Sequence, residues 1–182
     1  MNTISKKTGL TFGYILASYY IIANLIVFFS DFTLFAKSYF AVINMIVVLL
    51  LGISSVWITK RRMGNFITFK EGFSAFFIMI IVGFFANYLS QYILFNFVNP
   101  EAKVINNLIL VEMSEKIGRD MNLSQAEIDQ KIKGMINNPD ANFSIKTLLF
   151  TFAQTVLGAS IAGLLIALTF KNKSEFSTPK VQ

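Results

Sequence analysis

GFSAFFIMIIVGFFANYLSQYILFNFVNP, residues 72–100, runs for 29 positions between Glu71 and Glu101 without a charged side chain. A hydrocarbon core about 30 Å thick needs about 20 helical residues to cross it. This run is long enough, and no proline interrupts it before Pro100. In lipid the backbone must satisfy its own hydrogen bonds, so a run of this composition is a helix. Its surplus length predicts a helix that tilts or projects beyond the membrane.

Three further runs of the same kind flank it. Residues 8–30, 38–59 and 147–170 hold 23, 22 and 24 residues between charged neighbours. The predicted spans are residues 10–29, 40–58, 73–97 and 148–170, with a polar insertion over 98–146. Residues 1–182 read as a single membrane domain. Lys6 and Lys7 precede the first run as they would in a signal peptide. That run is too long for one, and no small-residue cleavage site follows over 31–37, so it is read as a retained span. The expected fold is all-α: an integral membrane four-helix bundle with a short extracytoplasmic helical hairpin between the third and fourth spans.

Composition agrees. The chain is 54% hydrophobic and 14% charged, with 20 phenylalanines and a mean hydropathy of +0.60. A soluble domain is nearer a quarter charged, so the excess apolar surface faces membrane lipids. The net charge of +6 sits at the ends of the apolar runs, where headgroups meet it, and no nucleic-acid partner is expected. There is no cysteine and no histidine. That excludes thiol chemistry, disulfides, histidine-ligated haem and nearly all zinc sites, and it removes the commonest general base. No Lys, Arg, Asp or Glu lies inside a span, which argues against an ion-driven pump. No catalytic, cofactor-binding or metal-ligating residue is assigned, no cofactor is expected, and the chain is read as not an enzyme. Glu112 and Glu115, three apart, are read as a solvated polar face rather than a metal site.

Four spans put both termini and the second loop on one side. Those segments carry Lys6, Lys7, Lys60, Arg61, Arg62, Lys70, Lys171, Lys173 and Lys180. The other side has Lys37 and the insertion, whose six cations and seven acids leave it at −1. The positive-inside rule then predicts cytoplasmic N- and C-termini and a periplasmic insertion, with Trp57 as an anchor at the inner interface.

The insertion reads as two short helices. Asn99-Pro100-Glu101 is a helix start, after which Val104, Ile105, Leu108, Val111 and Ile117 follow helical spacing, with Gly118 as the stop. Ser124 and Glu127 form a capping box inside a Leu123–Ile128 staple. Ile128, Ile132 and Met135 or Ile136 give one apolar face before Asn137-Asn138-Pro139 ends the helix. Helices this short need a partner surface: each other, the membrane or another protein. Thr68 and Glu71 have the same capping spacing at the start of the third span.

Two patterns inside the spans bear on function. With a rise of 1.5 Å per residue, Asn24 lies about 21 Å from the cytoplasmic end, Asn44 about 22 Å, Asn87 about 21 Å and Gln154 about 24 Å. Gln91 sits one turn above Asn87. These amides form a candidate polar layer, either bonding across the bundle or lining a small cavity open toward the insertion. Gly9, Gly13 and Ala17 form one stripe of small residues; Gly158 with Ala162, and Ala159 with Gly163, form two more. Such stripes let helices pack closely in lipid, and a first–fourth contact or a homodimer is the expected use.

The order of these features resembles a known family: four spans, Thr68-Phe69-Lys70-Glu71-Gly72-Phe73 opening the third, Asn96-Phe97-Val98-Asn99-Pro100-Glu101 closing it, then a helical insertion with Gly118 and the Ser124–Glu127 cap. The chain looks like the small bacterial membrane proteins catalogued as domain of unknown function 4199, typical of Bacteroidota, over residues 5–171. The resemblance implies a bacterial inner-membrane location and brings no established activity. The leading functional expectation is a structural, accessory or partner-binding membrane protein, as a homo-oligomer or with a membrane partner. The alternative is a small oligomeric carrier or channel that uses the polar layer.

Overall fold

The computed structural model describes residues 2–137 and 139–172. Six α-helices follow one another, with no strand among the described residues: α1 (Thr3–Asp31), α2 (Ser38–Arg62), α3 (Phe69–Ile93), α4 (Ala102–Asp120), α5 (Gln125–Asn137) and α6 (Ile145–Phe170). Short turns of 3-10 helix join α1 to α2 (Phe32–Ala36) and α5 to α6 (Pro139–Phe143). With their adjoining turns, α1, α2, α3 and α6 are long and apolar enough to cross a membrane. Each passes its charge-free stretch at one end or both, although the third stops short of Pro100, because a helix continues until capping or turn chemistry ends it rather than where charge begins. The third span spends its surplus length in a π-helical turn, Leu94–Val98, whose wider ladder is closed by the Asn99 N–H bonding Leu94 O at 3.0 Å.

The ends of the helices follow local chemistry. Thr68 and Glu71 form the full capping box at the start of α3: the Thr68 N–H donates to Glu71 Oε2 at 3.0 Å and the Glu71 N–H to Thr68 Oγ1 at 3.3 Å. Ser124 and Glu127 do the same before α5, where the Ser124 N–H reaches Glu127 Oε2 at 2.8 Å. α2 stops at Gly64, whose φ of +70° is a left-handed conformation that costs glycine nothing. Gly118 is not the stop of α4. That role falls to Asn122, at φ 56°, with the Leu123 N–H on Gly118 O at 3.0 Å and the Asn122 N–H on Arg119 O at 2.9 Å. This is a Schellman closure built on Asn instead of Gly. Gly118 is small for a different reason: a Cβ there would come within 2.8 Å of Ile128 on α5.

α3 is the hub of the spans. In lipid there is no hydrophobic force between helices, so close packing and hydrogen bonds hold them together. The Gly9–Gly13–Ala17 stripe of α1 lies against α3, not against α6. A Cβ on Gly9 would stand 2.7 Å from Ala75 O, and one on Gly13 would stand 2.9 Å from Val82 Cβ. α3 returns the fit with Gly83, where a Cβ would meet Leu16 at 2.4 Å. The expected first–fourth contact is therefore replaced by a first–third seam. On the other side of α3, the Phe76 ring is clamped between glycines of two helices. A Cβ on Gly52 of α2 would come within 2.4 Å of it, and one on Gly163 of α6 within 2.3 Å.

The insertion is a hairpin in which Ile128 and Ile132 of α5 are buried and Ile136 is exposed, so Met135 completes the face. The apolar face predicted for α4 is turned the other way. Val104, Ile105, Leu108 and Ile117 are exposed, and of that set only Val111 is buried. Asn106 and Asn107 point inward instead. Asn106 Nδ2 donates to Phe32 O at 3.0 Å, Asn107 Nδ2 donates to Met135 O at 2.8 Å, and Asn142 donates to Asn107 Oδ1. Buried amides need partners, and these lie far off in sequence, in the α1–α2 turn, the end of α5 and the α5–α6 turn. Beneath them Phe28, Phe35, Phe95 and Phe143 form an aromatic cluster, with Phe95 stacked on Phe143 at 4.3 Å.

Candidate functional site

The Phe76 clamp fixes how α2 and α6 diverge. On the termini side of it the two helices are held together. The Gly72 Cα region faces Val56 of α2 and Ala167 of α6, and Lys60 Nζ donates to the Phe170 carbonyl at 3.0 Å. On the insertion side they part, and a cavity of about 770 Å³ lies between them. α3 forms its back wall through Phe76, Phe84, Asn87 and Tyr88, and Phe35, Asn106, Asn142 and Phe143 form its roof. Its two side walls run out to exposed positions, Met45 on α2 and Gly158 on α6. The neighbours of those positions, Val42 and Ile46 on one helix and Leu157 and Ile161 on the other, are exposed apolar side chains. The cleft thus opens sideways, onto the exposed apolar surface of the candidate spans.

Three elements of the predicted polar layer come together here. Asn24 is fully buried behind α3 and donates through Nδ2 to Asn87 Oδ1 at 3.0 Å, Asn87 O at 3.3 Å and Ser90 Oγ at 2.7 Å. Gln91 Nε2 donates to the same Asn87 Oδ1 at 3.0 Å. Asn44 faces the cleft from α2, where its Oδ1 accepts from the Tyr19 hydroxyl at 3.0 Å and its Nδ2 donates to Phe40 O at 2.9 Å. Asn24 therefore ties α1 to α3, while Asn44, Asn87 and Gln91 line the cavity.

Gln154 does not join them. It is exposed, beside Phe150, Leu157 and Ile161 on the outer face of α6. The polar contribution of α6 comes from its neighbours instead. Thr155 Oγ1 lies 2.7 Å from the Tyr88 hydroxyl, and Thr151 lines the cavity one turn away. The signal was present in the sequence. Thr151, Thr155, Gly158, Ala159 and Ala162 share one helical face at i, i+4, i+7, i+8 and i+11, and that face is the wall.

The small residues of α6 accordingly do two jobs. Gly163 packs on Phe76. Gly158, Ala159 and Ala162 line the cavity, and a Cβ on Gly158 would meet nothing within 4 Å. Their smallness leaves room in place of a helix contact.

Chemically the cleft is graded. Amides and hydroxyls gather under the insertion, at Asn44, Asn87, Gln91, Asn142, Tyr88 and Thr155. Val48, Leu49, Phe76, Phe84 and Ala159 make the remainder apolar. A mostly apolar pocket with a few convergent polar groups is the usual form of a small-molecule site. Among the described residues no group of three or more Asp or Glu stands close enough to share a metal ion. Glu115 instead pairs with Arg119 at 3.5 Å on the exposed side of α4.

On the termini side Arg61 lies over the Trp57 ring, 4.4 Å from its centroid, and Arg62 reaches Thr8 Oγ1 at 3.3 Å. Lys173 and Lys180, which entered the charge asymmetry, lie outside the described residues, as does Asn138.

A sequence model of the family described as "Protein of unknown function (DUF4199)" matches residues 11–172. No curated protein and no solved structure matches the chain.

Proposed function

The chain belongs to the DUF4199 family, and from that premise we propose a multi-pass bacterial inner-membrane protein that binds an amphipathic guest taken laterally from the bilayer. The observation that carries this reading is the cleft between α2 and α6. It is open on its lipid-facing side, apolar over most of its depth and furnished with amides and hydroxyls at one end. A guest with a polar head and a hydrocarbon tail matches that gradient, its head under the insertion and its tail toward Phe76. The lack of any cysteine or histidine supports a binding role over a catalytic one.

The proposed orientation has both termini in the cytoplasm and the insertion on the periplasmic side. The Lys60-Arg61-Arg62 cluster supports it, with Trp57 held beneath Arg61 as an interfacial anchor. A C-terminal alkaline phosphatase fusion is expected to be inactive; an active one would reverse the assignment. In this orientation the first turns of α4 rest on the outer lipid interface. Val104, Ile105 and Leu108 continue the exposed apolar surface that Phe97 and Val98 begin.

Affinity purification in mild detergent, with lipids and proteins identified by mass spectrometry, tests the binding role. The reading expects one class of amphiphile enriched over bulk lipid on the wild-type protein and lost from Gly158→Leu, whose side chain would fill the cleft. A folded protein carrying only bulk lipid contradicts it. The exposed face of α4 supports a second reading, an accessory protein whose insertion binds another membrane protein. A stoichiometric protein lost on Leu108→Glu would favour that reading.

A further inference from the structure

What headgroup the guest carries rests on the reading of the cleft as a binding site. We infer that the cleft selects an uncharged headgroup bearing hydroxyl or carbonyl oxygens, on one or two long apolar tails, and rejects phosphate-bearing lipids. Every polar side chain that lines it, among the described residues, is an amide or a hydroxyl. Lys37 and Lys146, on the flanking helix ends, are exposed and do not line it, and Lys103 of α4, whose Nζ donates to Asn96 Oδ1 at 3.3 Å, does not line it either. A phosphate moved from the headgroup region into such a pocket would lose its water and gain no guanidinium or ammonium in return. Buried anions persist only when paired.

The hydrogen-bond pattern points the same way. Asn87 Oδ1 is already taken by Asn24 and Gln91. Among the lining amides this leaves the Asn87 amide N–H groups and the carbonyl oxygens of Gln91, Asn106 and Asn142 to a guest. Asn44 adds the N–H that does not bond Phe40. The cleft therefore offers both donors and acceptors. A hydroxyl can use both, whereas a carbonyl uses the donors alone. Glycerides with a free hydroxyl and prenylated quinones share this chemistry of uncharged oxygens on a long tail.

The test uses the full-length protein in phosphatidylcholine vesicles containing a trace of one of two photoreactive probes with identical diazirine-bearing tails. One probe is a diacylglycerol and the other a phosphatidic acid. Labelled peptides are mapped by mass spectrometry. The inference expects saturable labelling of α2 and α6 wall residues by the diacylglycerol probe, at least tenfold above the phosphatidic acid probe. Unlabelled diacylglycerol or a prenylated quinone should compete for it, and the stronger competitor identifies the source. Gln91→Leu, which removes one lining amide without touching the Asn24–Asn87 bond, should narrow the tenfold preference while the protein still folds. Equal labelling by the two probes, or preference for phosphatidic acid, overturns the headgroup inference and leaves the cleft a binding site. Saturable labelling by neither overturns the cleft reading itself.

Discussion

Gly163 and Gly158 stand five residues apart on α6 and have opposite surroundings. Gly163 presses on Phe76 so closely that a methyl group would stand 2.3 Å from the ring, whereas Gly158 has open space around it. Phe76 is the boundary between the two situations. Toward the termini, α2, α3 and α6 are packed through glycine contacts. Toward the insertion, α2 and α6 separate around the cleft. A small residue in a membrane helix therefore signals close approach in one place and vacated volume in another, and only the neighbouring helix tells the two apart.

Gly163→Leu should have the largest effect. Forcing a side chain against Phe76 should destabilise the protein by at least about 1–3 kcal/mol, the usual cost of overpacking. Denaturation in detergent, followed by helical circular dichroism, measures it. A wild-type midpoint would mean that the clamp is not tight.

Asn24→Leu comes next. It removes the side-chain bonds that tie α1 to Asn87 and Ser90, and interhelical hydrogen bonds in membranes are worth about 0.6 to 1.7 kcal/mol. The same denaturation assay should register a loss in that range. No loss would mean that the packed seam of Gly9, Gly13 and Gly83 holds α1 without help.

A smaller effect is expected in the insertion, at the start of α5. The Glu127 carboxyl lies below its ordinary range because the Ser124 hydroxyl and backbone N–H donate to it. A depressed folded value means that the stabilisation is present above the unfolded carboxylate pKa and is lost as pH falls through the folded value. Protection of the α5 amides, taken relative to their intrinsic exchange rates at each pH, should therefore fall on acidification below the ordinary carboxylate range, and Glu127→Gln should flatten that dependence. Exchange with the same pH profile in both proteins would remove the cap from the account of α5.

The smallest change in stability belongs to Gly158→Leu, within about 0.5 kcal/mol of wild type, even though it is the variant expected to abolish guest binding. A large loss of stability there would close the distinction between the two halves of α6.

Much of the fold was legible because it is set locally. Charge-free runs become helices wherever lipid is the solvent, and the capping boxes at Thr68–Glu71 and Ser124–Glu127 are complete within four residues. Features decided by distant partners were not legible. The stripe on α1 names a face, but nothing near Gly9 says that Ala75 lies opposite it. α4 turned its aliphatic face outward because Asn106 bonds a carbonyl 74 residues away and Asn107 one 28 residues away, and no periodicity records such bonds. Depth placed Asn24, Asn44 and Asn87 near one level, while rotation about α6 put Thr155 rather than Gln154 on the inner face.

On the proposed reading, the cleft above Phe76 admits an acyl chain from the bilayer. The chain has no cysteine, so a single bimane probe can be placed at Ala159→Cys on the cleft wall and, for reference, at Leu157→Cys on the lipid-facing side. Quenching by lipids with brominated acyl chains then reports contact. Quenching at 159 should be comparable to that at 157 and be relieved by the guest that copurifies with the wild-type protein. Strong quenching at 157 with none at 159 would show a cleft closed to lipid and contradict it.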